Sequence, residues 1–138
     1  MLKLISSTDR EDLVISIDPA VALEKDDREP VRAISKRSCT LNGSTPTVFT
    51  IRPLKSREMI RVINASGVSA TEGLVRAAEI GLTAITGENL SATKPTEVFE
   101  TIDLLPHSAI LAVGAYLIEM SGLPEDPTEP DELEPPLG

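Results

Sequence analysis

Three aromatic residues, Phe49, Phe99 and Tyr116, are all that this 138-residue chain contains. Each such ring buries about 150–250 Å², so their scarcity removes an efficient way of filling an interior. The core must instead be assembled from Leu, Ile, Val and Ala, and a hydrophobic content of 41% supplies enough of them for one domain. An aliphatic core with few large anchors predicts modest stability alone, with help from oligomerisation or a partner. The same shortage bears on function. An acidic chain of net charge −9 with almost no rings to stack on bases is a poor nucleic-acid binder.

Little catalytic material is available. His107 stands alone, with only Asp103 close in sequence to orient it, and reads as a surface or capping residue. Cys39 is the single cysteine, so it can form neither an internal disulfide nor a thiolate zinc site. Lys36 and Arg37 lie close to it, but no His or Asn neighbours it to complete a catalytic set, and it reads as a passive thiol. Glu24, Asp26, Asp27 and Glu29 cluster, yet lack the glycine and terminal Glu of a calcium loop and read as a solvated loop. No phosphate-binding glycine loop, dinucleotide fingerprint or H-E-x-x-H zinc motif occurs. No catalytic mechanism can therefore be read from the chain, and no residue is assigned a catalytic, cofactor-binding or metal-binding role.

The net charge conceals a segregation. Residues 1–27 carry three basic and seven acidic groups, residues 28–61 carry eight and two, and residues 62–138 carry two and thirteen. The basic middle, +6, thus lies between acidic ends of −4 and −11. Such a pattern allows head-to-tail contacts between copies, or an acidic tail folded over its own basic face. Residues 121–138 hold five Pro, six acidic residues and no basic one. Proline lacks the backbone donor and fixes φ, so an extended acidic tail is expected there.

The pattern along the chain predicts an α+β fold: a small antiparallel β-sheet in the N-terminal third, about four α-helices, then the tail. Residues 1–122 form one domain and 123–138 the extended Pro-rich segment. Strands are expected at 12–18, 31–35 and 47–52. The last is best marked, with Thr47, Phe49 and Ile51 on one face and Val48, Thr50 and Arg52 on the other. Asn42–Gly43 is the strongest turn signal and sits inside the sheet's connection. Ser56 can cap a helix to Ala65 with Met59, Ile60 and Ile63 as its buried stripe. Ser69 and Glu72 match a capping box, and the helix after them is expected over 70–86, closing at Gly87. Pro95 opens a third helix with Val98, Phe99, Ile102 and Leu105 at helical spacing, broken at Pro106. The fourth, 106–121, is apolar almost all round and belongs in the core or in an oligomer interface.

The opening residues contain no long apolar h-region, and the longest apolar-rich stretch, Ala109 to Ile118, is far short of the roughly 20 residues that cross a bilayer. A soluble chain in a reducing compartment is expected, with no membrane partner.

Thr45 to Glu58 (TPTVFTIRPLKSRE) resembles a segment recurrent in small proteins of tailed bacteriophages, where it leads from an N-terminal β region into helices. The apolar last helix, its S-G-L-P ending and the acidic terminus are similar to the same group, the phage tail assembly chaperones. The resemblance implies no enzymatic activity and a role in keeping tail or tape-measure proteins soluble before the tail polymerises. It places the chain in the host cytoplasm during assembly. The β-rich first 50 residues depart from a purely helical chaperone, and leave a structural virion subunit of tail, neck or capsid as the alternative. Either way the partners are virion proteins or further copies of the chain. Arg52, Lys55, Arg57 and Arg61, gathered at the strand-to-helix junction, are the candidate docking face. Leu117 is the candidate apolar contact. Glu125, Asp126, Glu129, Asp131, Glu132 and Glu134 form the candidate acidic peptide.

Overall fold

The structure is a computed structural model that describes residues 9–121. The acidic segment from 123 onward, with Glu125, Asp126, Glu129, Asp131, Glu132 and Glu134, lies outside the described residues.

The architecture is α+β, a five-stranded antiparallel sheet with four helices. The strands are β1 (Glu11–Ile15), β2 (Ala33–Ser35), β3 (Val48–Ile51), β4 (Leu82–Gly87) and β5 (Leu90–Ala92), in spatial order β2-β1-β3-β4-β5. The helices are α1 (Ser56–Ser66), α2 (Ala70–Gly81), α3 (Pro95–Ile102) and α4 (His107–Met120). Alternation along β3 sends Phe49 and Ile51 into the core, as its sequence predicts. The register then aligns a row across the sheet, with Leu13 opposite Phe49, Phe49 opposite Ile85, and Ile85 opposite Ala92. All four residues are buried in the cluster that the helices cover.

The second half of the sheet comes from an unexpected place. Helical spacing extends α2 to residue 86, but the helix ends at Gly81 and the chain continues as the β4–β5 hairpin. Thr83, Ile85 and Thr86 are β-branched and gain a partner strand in β3, which outweighs their fit to a helical face. Arg52 N–H donates to the Gly81 carbonyl (3.0 Å) and the Thr83 hydroxyl to the Thr50 carbonyl (3.1 Å), fixing the switch point. Asn42–Gly43 lies in the connection from β2 to β3, with Gly43 at φ +98°. Those two strands are not neighbours, because both flank β1.

Helix α2 packs between α1 and α4. Its N-cap is as expected, with Glu72 N–H donating to the Ser69 hydroxyl (3.1 Å). Helices α2 and α4 approach closely because Gly114 has no side chain: a Cβ there would lie 2.0 Å from the Leu74 carbonyl oxygen. Pro95 is the first residue of α3, and Glu97 Oε1 accepts from the Thr93 and Lys94 amides (3.1 Å each). That helix stops at Ile102, earlier than its apolar spacing suggests, and Phe99 remains 56% exposed while Val98 and Ile102 are buried.

One arginine organises the loop after β1. The Arg28 guanidinium donates to four carbonyls, those of Ser16 (3.1 Å), Asp18 (2.8 Å), Val21 (2.8 Å) and Leu23 (3.1 Å). The Ser16 hydroxyl returns the contact by donating to the Arg28 carbonyl (2.8 Å). A planar fork with five donors suits this task, which an ammonium group could not reproduce.

Candidate interaction surface

The β3–α1 junction is built by its own sequence. Pro53 ends the strand, and buried Leu54 fixes the turn, its N–H donating to the Ser121 hydroxyl (2.8 Å). The C-terminal end of α4 is thereby tied to the residues just before α1. Glu58 does the work expected of Ser56: its Oε1 accepts from the Lys55 amide (2.8 Å), so Lys55 is the cap position and Ser56 the first helical residue. The same carboxylate accepts both arms of Arg52, at 2.9 and 2.8 Å.

Arg52 is therefore committed within the chain. Its guanidinium also donates to the Pro53 carbonyl (3.1 Å) and the Ile80 carbonyl (3.4 Å). Its hydrogen bond to Glu58 raises the Arg52 pKa, and the reciprocal bond holds the Glu58 carboxyl below the ordinary carboxylate range. The expectation that Arg52 offers a free docking charge is corrected accordingly. Lys55, Arg57 and Arg61 differ: all three are exposed, and none has an ion pair among the described residues.

The buried stripe of α1 also differs from its sequence reading. Met59 and Val62 face inward, whereas Ile60 and Ile63 are 56% and 51% exposed. Val68, just beyond the helix, is 79% exposed. Ile60 and Ile63 are i, i+3 neighbours, and Arg57 and Arg61 are i, i+4 neighbours. The outer side of α1 is thus an apolar strip edged by cations.

Leu117 is placed elsewhere, fully buried in the core with its methyl groups against Gly81. Helix α4 buries Ala109, Ile110, Ala112, Val113, Gly114 and Leu117 and leaves Ser108, Ala115 and Glu119 exposed, so Leu117 as a partner contact is corrected to a core residue. A groove of about 720 Å³ runs past Arg52, Ile80, Leu82, Val98 and Phe99, and Phe99 is its exposed aromatic.

His107 begins α4 and lines a recess with Glu79 and Asp103. The Cys39 thiol donates to the Lys36 carbonyl (3.4 Å). Among the described residues no cluster of three or more His, Cys, Asp or Glu could hold a metal ion, and no helix is long and apolar enough to cross a membrane. The residues that sequence reasoning did not single out are Arg28 and the outward setting of Ile60, Ile63 and Phe99. The i, i+3 spacing of the two isoleucines beside Met59 and Val62 was the available signal, since four apolar residues in one turn and a half cannot all face one neighbour.

No protein-family model matches the chain, and no curated protein or solved structure matches it.

Proposed function

We propose that the chain is a non-enzymatic assembly factor of tailed bacteriophages, which binds a tail or tape-measure protein through the outer side of α1. The observation that carries this reading is the second apolar face of that helix. Ile60 and Ile63 stay in water while Met59 and Val62 complete the core. Exposed apolar residues grouped on one element and rimmed by charge are the usual mark of a protein-binding surface. Lys55, Arg57 and Arg61 select a partner with acidic residues around an apolar strip, and their charge speeds encounter more than it tightens binding. The resemblance of Thr45–Glu58 to phage tail assembly proteins supplies the class of partner.

A structural virion subunit is the second reading. The five-stranded sheet favours it, because that much β structure departs from a purely helical chaperone. Mass spectrometry of purified particles separates the two. An assembly factor is absent from particles yet required for tails to form. Repeated stoichiometric copies in the particle would exclude that role and leave the structural one.

A further inference from the structure

The outer face of α1 has a candidate occupant within the same polypeptide. We propose that residues 123–138 dock in cis along α1, laying their carboxylates on Lys55, Arg57 and Arg61 and their leucines on Ile60 and Ile63.

Three observations converge. The first is where the described chain ends. The Ser121 hydroxyl accepts the Leu54 N–H at 2.8 Å, so the last described residue lies beside the start of α1. The second is reach. An extended Pro-rich segment advances about 3.1 Å per residue, so 123–138 could span about 50 Å. The eleven residues of α1 occupy only about 16 Å. The third is complementarity. The segment has Glu125, Asp126, Glu129, Asp131, Glu132 and Glu134 with no cation, and places Leu133 and Leu137 among them. The helix face offers three exposed cations without an ion pair among the described residues, around two exposed isoleucines.

Tethering decides between a segment's own helix and a neighbour's. A short flexible connection gives an effective concentration of the order of millimolar, far above that of a second copy in solution. A contact whose intrinsic dissociation constant lies at or below that concentration is then half formed or more within one molecule. The surface covered is the one assigned above to the virion partner, so the regulatory consequence, competition between tail and partner, rests on that assignment. The docking itself does not.

The test uses the full chain, isotope-labelled, with Cys39→Ser and Glu134→Cys and a nitroxide on residue 134. Docking is expected to lower the amide peak heights from Arg57 to Val68 by about twofold or more against the reduced sample, given a mostly occupied tethered site. Arg57→Glu with Arg61→Glu should restore them while the remaining spectrum is unchanged. Sodium chloride added to the chain without those two changes should restore them progressively, because exposed charge pairs are screened. Full peak heights along α1 would overturn the proposal, as would losses centred on another surface. So would losses that appear in a mixture of nitroxide-bearing unlabelled chain and isotope-labelled chain without nitroxide, since these report a neighbour's tail. No virion protein is present in this assay. A docked tail with a failed particle experiment refutes the assembly role alone, and a free tail with a successful one refutes the docking alone.

Discussion

Helices α1 and α4 are both rich in apolar residues, but the fold uses them differently. In α4, Ala109, Ile110, Ala112, Val113 and Leu117 are buried, and Gly114 lets α2 come close enough to seal one side. In α1, Met59 and Val62 are buried and Ile60 and Ile63 are not. Apolar character alone therefore does not reveal a binding surface in this molecule. The informative residues are those left over once the core has taken what it needs.

Substitutions can break that contrast. Leu117→Asp places a charge where the side chain is fully buried, and should cost about 4 kcal/mol or more, enough to abolish the cooperative melting transition by circular dichroism. A folded chain with a changed oligomeric mass would instead make α4 an interface. Gly114→Ala drives a methyl group toward the Leu74 carbonyl and should cost about 3 kcal/mol, read as a lower melting temperature. The sharpest comparison lies within one turn of α1. Met59→Ala should cost about 2 kcal/mol, whereas Ile60→Ala should stay within about 0.5 kcal/mol of the parent in urea unfolding. Equal losses at both positions would mean that the outer face is packed after all.

The Arg52–Glu58 pair adds a pH signature of intermediate size. The folded-state pKa of Glu58 is lowered, so its stabilisation is full above the ordinary carboxyl value of about 4.3 and disappears as pH falls through the lower folded value. Glu58→Gln should be less stable than the parent by about 1–2 kcal/mol at pH 7, with the gap closing in acid. A gap that persists unchanged at low pH would mean that the carboxylate charge contributes nothing.

What was legible in the chain was local. The alternation in β3, the Ser69 cap, Pro95 at the start of α3 and the apolar run of α4 each depend on neighbours within a few residues. The unread parts depend on distant ones. Leu74, Ala78, Leu82 and Ile85 do fall at helical spacing, and pairing with β3 and β5 makes Leu82 to Gly87 a strand. Which side of α1 turns inward is chosen by α2, since Met59–Val62 and Ile60–Ile63 have the same i, i+3 spacing. Lys55, Arg57 and Arg61 are exposed, but the pairing of Arg52 with Glu58, six residues on, removes the fourth member of the basic cluster from the surface. Arg28 gave no signal, because its partners are backbone carbonyls.

The order of strands has a consequence for synthesis of the chain. β3 is paired on both sides, with Thr50 opposite Asp12 and also opposite Ala84. While the chain emerges from the ribosome, β1, β2 and β3 can pair long before β4 exists. Until then β3 is a sheet edge, with unpaired backbone groups and Phe49 and Ile51 lacking their cover. Exposed edges of this kind recruit other strands. The α1–α2 pair spans the interval and carries β4 back beside β3. Mutations that disturb the packing of α1 on α2 should therefore lower the soluble yield more than they lower the final stability.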